Sequence, residues 1–321
     1  MEGETWVKIL CNPRHNPVAN SGTSPSLYKS IGVEGVSPSF NKIFYIYKMC
    51  YSTKILKFNE GLFDNFIDIT FVITMKDSLR TEKIIEEIRR VKPSKKVVIV
   101  YNSGYKNCKK TLYKKKVTNS AQDLVHAYKH IFNNSQEYNN ILILEDDAKF
   151  SDEIFESKHI NNIETFINNN NFNTYSLGSI KLVAQLFGTH QRCYVKSATH
   201  AMIFSKEYRK NINFNTIFHI DILTNAPFNI NGWIYYKTLV GQVCEKTENS
   251  EIWPYYLNNV QPILYYFTKD NCITGIDTIN LLLKIFWILS FIMLLIILFI
   301  VCKYRYIIYN YFINIKNNTF S

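Results

Sequence analysis

From residue 66 onward, apolar positions change period several times. Phe66–Thr74 (Phe-Ile-Asp-Ile-Thr-Phe-Val-Ile-Thr) is rich in β-formers and reads as a strand. Behind it, Leu79, Ile84, Ile88 and Val91 recur at helical spacing, with Asp77 or Ser78 able to cap the helix and Pro93 ending it. Val97–Val100, inside Lys96–Tyr101, is a second short apolar run, closed by the turn signal Asn102-Ser103-Gly104. Ser120 with Asp123 makes a capping-box-like start, after which Leu124, Tyr128, Ile131 and Phe132 mark one helical face. Asn133–Asn140 reads as a loop and Ile141–Leu144 as a third strand. Ser151 and the acidic turn Asp152-Glu153 open a further helix to about Ile167. This β-α-β-α-β order with short loops predicts an α/β fold, a Rossmann-type, mostly parallel sheet flanked by helices.

The flanks are different. Pro13, Pro17, Gly22, Pro25, Gly32, Gly35 and Pro38 make the first forty residues loop-rich, and Asn41–Leu56 adds one strand or helix. Tyr175–Leu182 and Thr199–Phe204 look like strands, with a less regular stretch between them. Residues 285–302 carry no charge, and with Leu281–Leu283 they reach the length of about 20 residues that a bilayer core requires. The expected division is an extension over 1–60, a folded domain over 61–270, a single transmembrane helix over 279–303 and a short basic tail over 304–321.

Composition allows a sizeable core, since 47% of the 321 residues are hydrophobic. The net charge of +11 is concentrated partly in Lys109, Lys110, Lys114, Lys115 and Lys116. That stripe suits a polynucleotide, an anionic membrane or a phosphate-bearing substrate, but it has few stacking aromatics, so no nucleic-acid partner is expected. The seven cysteines are scattered, odd in number and lack a Cys-x-x-Cys pair, which predicts neither a zinc site nor a disulfide framework and points to a reducing compartment. No basic, apolar leader is visible at the N-terminus, which favours a C-terminal anchor with a cytosolic domain. Lys303, Arg305 and Lys316 beyond the helix favour the opposite orientation by the positive-inside rule, so the side of the membrane stays open.

Chemistry concentrates where the third strand ends, at Glu145-Asp146-Asp147. Open α/β sheets bind ligands just past such strand ends. Adjacent carboxylates repel each other, and a divalent cation or a set of donors relieves the repulsion. Downstream, His219 and Asp221 are two residues apart, a spacing that would put both on one face of an extended segment.

Four stretches, in order, resemble the family 25 glycosyltransferases, which include lipopolysaccharide and collagen sugar transferases. They are Val72-Ile73-Thr74-Met75-Lys76-Asp77-Ser78-Leu79-Arg80, then Ile141–Ala148 with its Leu-Glu-Asp-Asp-Ala core, then Ala198-Thr199-His200-Ala201, then Asp221 with Gln242 and Asn249-Ser250. The resemblance spans about residues 66–255 and implies a GT-A fold, a nucleotide-diphospho-sugar donor, Mn²⁺ or Mg²⁺, and a glycan or glycoprotein acceptor. It implies Asp147 as the metal contact, Asp146 on the ribose or sharing the metal, and Glu145 orienting its neighbours. Arg80 and Asn102 become nucleotide contacts, Asp221 the catalytic base, and His219 a second base or a further metal ligand. Trp233 and Trp253 are candidates to stack on an acceptor sugar or to fill the core. The rival expectation is a non-catalytic, membrane-anchored interaction protein that keeps a decayed transferase fold; an intact acidic triplet argues against it.

Overall fold

The structure is a computed structural model that describes residues 50–214, 219–243, 266–267 and 271–319. Its first half runs β1 (Tyr51–Lys57), β2 (Ile69–Met75), α1 (Thr81–Val91), β3 (Lys96–Asn102) and the single turn α2 (Gly104–Asn107). A small hairpin, β4 (Thr111–Leu112) and β5 (Lys115–Lys116), precedes α3 (Ser120–Asn133), β6 (Asn140–Glu145) and β7 (Ala148–Phe150). A 3₁₀ turn at Asp152–Phe155 leads into α4 (Ser157–Asn169). Then come β8 (Thr174–Ser176), β9 (Ile180–Ala184), β10 (His190–Ser197), β11 (Ala201–Ser205), α5 (Lys206–Asn211), α6 (Ile220–Leu223), β12 (Gly232–Tyr235) and β13 (Val240–Gln242). The chain closes with the long α7 (Cys272–Thr319).

β3, β2 and β6 lie side by side in parallel, as their apolar runs require of strands covered on both faces. Alternation within β2 sends Val72 to one face, against Ile84, Ile85 and Ile88 of α1, and Phe71 and Ile73 to the other, against Val125, Tyr128 and Ile131 of α3. Each such fully buried side chain contributes about 1.5–3 kcal/mol.

Among the described residues the sheet has nine strands in the order β1-β3-β2-β6-β11-β8-β12-β10-β9. It is mixed, not mostly parallel. β11 is antiparallel to both β6 and β8, β10 is antiparallel to β12 and β9, and beyond the central trio only β8 and β12 run parallel. The cause is connection length. β8, β9, β10 and β11 follow one another through turns of a few residues, and a parallel neighbour requires a crossover of about a dozen or more. The one strand expected over Tyr175–Leu182 is in fact two, β8 and β9, broken around Gly178, where an added Cβ would collide with the Val240 carbonyl.

Several local expectations shift. α3 is capped by Asn119, whose side chain accepts from the Gln122 amide, and not by Ser120. α1 begins after Arg80 with no side-chain cap; Ser78 Oγ accepts from the Arg80 amide at 3.2 Å and donates to Asp146. The sheet already takes in Tyr51–Lys57 as an edge strand antiparallel to β3. Residues 1–49, Asn249, Ser250 and Trp253 lie outside the described residues.

The expectation of no disulfide is corrected: Cys50 and Cys108 are bonded, with Cα atoms 5.4 Å apart and a sequence separation of 58. Pairing of β1 with β3 explains it. Tyr51 lies opposite Asn102, the Ser103 amide donates to the Cys50 carbonyl, and the turn α2 then carries Cys108 back to Cys50. Nothing in local spacing announces such a contact.

A carboxylate cluster as the candidate active site

The site follows from the pairing of β2 with β6. Ile73 lies opposite Glu145, so both strands end at the same edge of the sheet. Past that edge, β2 supplies Thr74, Ser78 and Arg80, and β6 supplies Glu145, Asp146 and Asp147. This is the position where open sheets bind ligands.

Asp146 is fully engaged. Its Oδ1 takes the Arg80 guanidinium at 2.8 Å, and its Oδ2 accepts from Thr74 Oγ1 and Ser78 Oγ, each at 3.0 Å. Burial nonetheless pushes its carboxyl up, with Asp147 adding to the effect and Arg80 opposing it. Asp147 is different. Gln242 Nε2 donates to its Oδ2 at 2.9 Å, and Arg80 Nη1 stands 3.5 Å from the same oxygen. Among the described residues its Oδ1 is buried with no hydrogen-bond partner. A buried ionised oxygen left in this state is costly, whereas a cation there would complete it.

Glu145 is held from the other side, with Tyr128 Oη donating to its Oε1 at 3.2 Å and Thr199 Oγ1 lying 3.3 Å away. Burial first, then the charges of Asp147 and Asp221, push Glu145 well above the usual carboxylate range. Thr199 also donates to Asp221 Oδ1 at 2.7 Å, so one hydroxyl joins two acids. Its single proton serves Asp221, and a protonated Glu145 can donate to the same hydroxyl. The residue before it, Ala198, has φ +70°, a left-handed conformation that costs a non-glycine residue about 1–2 kcal/mol. Ser179 Oγ holds the Ala198 carbonyl at 2.6 Å.

His200 is fully buried, and its Nε2 donates to the Val240 carbonyl at 2.9 Å. Burial holds its pKa down, so the ring is neutral and Nδ1 carries a lone pair; that atom too has no partner among the described residues. His219 caps the short α6, its Nδ1 accepting from the Asp221 amide at 3.2 Å and standing 3.7 Å from Asp221 Oδ2. The extended segment anticipated for these two residues is a helix start.

Of the residues singled out in the sequence, Arg80, Glu145, Asp146, Asp147 and Asp221 are joined by hydrogen bonds, ion pairs or direct charge coupling, and His219 sits against Asp221. Asn102 stands apart. Its Nδ2 donates to Asp123 Oδ2, and its Oδ1 accepts from the Gly104 amide and from Lys110 Nζ. With Lys110 buried and ion-paired to Asp123 at 2.6 Å, Asn102 belongs to a bracing network, not to an open binding surface. Trp233 packs on Phe166 under the Arg192 guanidinium, on the core side. Sequence reasoning gave Thr199, Tyr128, Thr74 and Ser78 no contact with the acids. Glu153, Glu156 and His159 form a separate cluster, where Lys237 pairs with Glu153 and Lys158 with Glu156.

No protein-family model matches the chain, and no curated protein sequence does. Several solved structures are similar to it in arrangement, two of them as follows. One is a glycosyltransferase involved in glycosylation of the major capsid of PBCV-1, with 12% identity, a TM-score of 0.36, and coverage of 56% of this chain and 94% of the other. The second is the protein A197 from STIV, at 11% identity, a TM-score of 0.35, and coverage of 56% and 86%. Similarity at this level assigns no activity. The chain is a mixed α/β protein with a large central sheet, flanking helices and a C-terminal apolar helix.

Proposed function

We propose that the chain is a membrane-anchored glycosyltransferase of GT-A type. It would move a sugar from a nucleotide-diphospho-sugar to an acceptor hydroxyl on a glycan or glycoprotein. The observation that carries this reading is the unpartnered, buried Asp147 Oδ1 at the end of β6, surrounded by three further carboxylates and one arginine. The donor set is mostly oxygen, which suits Mn²⁺ or Mg²⁺. Asp147 would be the principal ligand, with Asp146 or His219 supplementing it. When bound, the cation supplies charge neutralisation for a departing diphosphate.

The protein's own residues have distinct parts. Arg80 spans Asp146 and Asp147, so it neutralises the acids in the ligand-free state and lies in reach of an incoming phosphate. Asp146, locked by Thr74 and Ser78, is oriented to accept from a ribose hydroxyl. Asp221 would accept the proton of the acceptor hydroxyl, its orientation fixed by Thr199 and by the α6 start. Glu145, whose carboxyl burial and the neighbouring acids push up, limits the negative charge of the cluster.

The test is a panel of nucleotide sugars offered to the full chain in detergent, with and without Mn²⁺, scored by release of free nucleotide. Turnover with one donor, dependent on Mn²⁺ and lost in Asp147→Ala, supports the reading. No turnover with any donor, or equal turnover in the variant, removes it.

A further inference from the structure

Beyond the acid cluster, the far edge of the sheet carries a second functional feature. β9 is an edge strand, and α7 lies along its open side. The Lys181 amide donates to Asn280 Oδ1 at 2.8 Å, Asn280 Nδ2 donates to the Ser179 carbonyl at 3.0 Å, and Trp287 Nε1 donates to the Leu182 carbonyl at 2.8 Å. The helix thus satisfies backbone groups that an edge strand leaves open. At the tip of the β9–β10 hairpin, Phe187 is 70% exposed, and Lys284 Nζ sits 4.5 Å from its ring centroid. Leu182 and Val183 beside it are exposed as well.

The depth of these contacts is what matters. The charge-free run of α7 begins at Ile285, immediately after Lys284 and half a turn before Trp287. An interfacial lysine and tryptophan at that boundary are the usual anchors of a spanning helix. Leu182, bonded to Trp287, and Phe187, under Lys284, therefore sit at the level where the helix enters the bilayer. A strand edge at that depth meets little water, and here side chains of α7 satisfy it.

We propose that the β9–β10 hairpin is a membrane-docking element, with Leu182, Val183 and Phe187 embedded in the interfacial layer of the bilayer that α7 crosses. The occupant is lipid, argued from continuity with α7, and the proposal rests on the reading of α7 as a membrane span. It gives the domain a second attachment point, so the domain is held against the bilayer and does not swing on one helix.

The test is tryptophan fluorescence of the full chain in nanodiscs of phosphatidylcholine, compared with phosphatidylcholine brominated near the headgroup. Trp287→Phe isolates the signal of the helix, and Phe187→Trp adds one at the hairpin tip. The proposal expects the added Phe187→Trp emission to fall roughly twofold or more in brominated lipid, as that of Trp287 does. Quenching of Trp287 without quenching at 187 overturns the docking proposal and leaves the helix in place. Quenching of neither overturns both. Should Phe187→Trp disturb the turn, Val183→Trp gives the same readout from the strand.

Discussion

Asp147 holds one oxygen in a bond with Gln242 and buries the other without a partner. An unsatisfied buried group of this kind costs about 1–3 kcal/mol in the ligand-free protein. Asp147→Asn should therefore leave the metal-free melting temperature unchanged or higher, because one of several crowded charges is gone. It should lower turnover by roughly 100-fold or more, the scale of losing a main electrostatic stabiliser. Glu145 makes a pH prediction. Its folded pKa lies above the unfolded value of 4.5, so the native state binds the extra proton, and stability falls as pH rises from 4.5 through the folded pKa. Thermal melts of metal-free protein across pH 4.5–8 should show that decline, and Glu145→Gln should flatten it. The acids themselves were visible in sequence because they are adjacent. Thr199 stood out only as part of the stretch Ala198-Thr199-His200-Ala201; that it joins Glu145, 54 positions away, to Asp221, 22 away, has no local signal.

Among elements, the parallel trio β3-β2-β6 and the helices α1 and α3 were legible because their apolar periods are long and unbroken. The second half was not. β10 carries Arg192, Lys196 and His190 among its apolar residues, and its alternation is disturbed by register shifts against β9. The Cys50–Cys108 bond was hidden for a similar reason, being set by pairing of β1 with β3. It closes a loop of 58 residues, which by chain entropy constrains the unfolded state by about 4 kcal/mol. Cys50→Ser or Cys108→Ser should lower unfolding free energy by about 2–4 kcal/mol in a denaturant titration, and a reductant should reproduce the effect in the unmodified protein. A loss below about 0.5 kcal/mol would mean that β1 holds its place without the bond.

For the whole molecule, the bond bears on the compartment. Disulfides persist where the surroundings are oxidising. Together with Lys303 and Arg305 beyond the apolar run, the Cys50–Cys108 bond favours a domain outside the cytosol. In sealed membrane vesicles with their cytosolic face outward, an added protease should then spare the domain and trim only the tail. Digestion of the domain would reverse the orientation. The candidate site is also tied to the C-terminal apolar helix: Gln242, which holds Asp147, follows Gly241, where an added Cβ would stand 2.8 Å from Cys272 Sγ at the start of α7. Gly241→Val should therefore disturb both the seat of the helix and the acid cluster, and lower turnover without touching a ligand.

All of this depends on the carboxylates gathering around a divalent ion. Titration of the full chain with Mn²⁺, followed by the electron paramagnetic resonance signal of the free ion, tests it directly. The account predicts loss of one equivalent of free Mn²⁺ signal, tighter binding when a nucleoside diphosphate is present, and no such equivalent in Asp147→Ala. An undiminished signal in the unmodified protein, or the same loss in the variant, would contradict it.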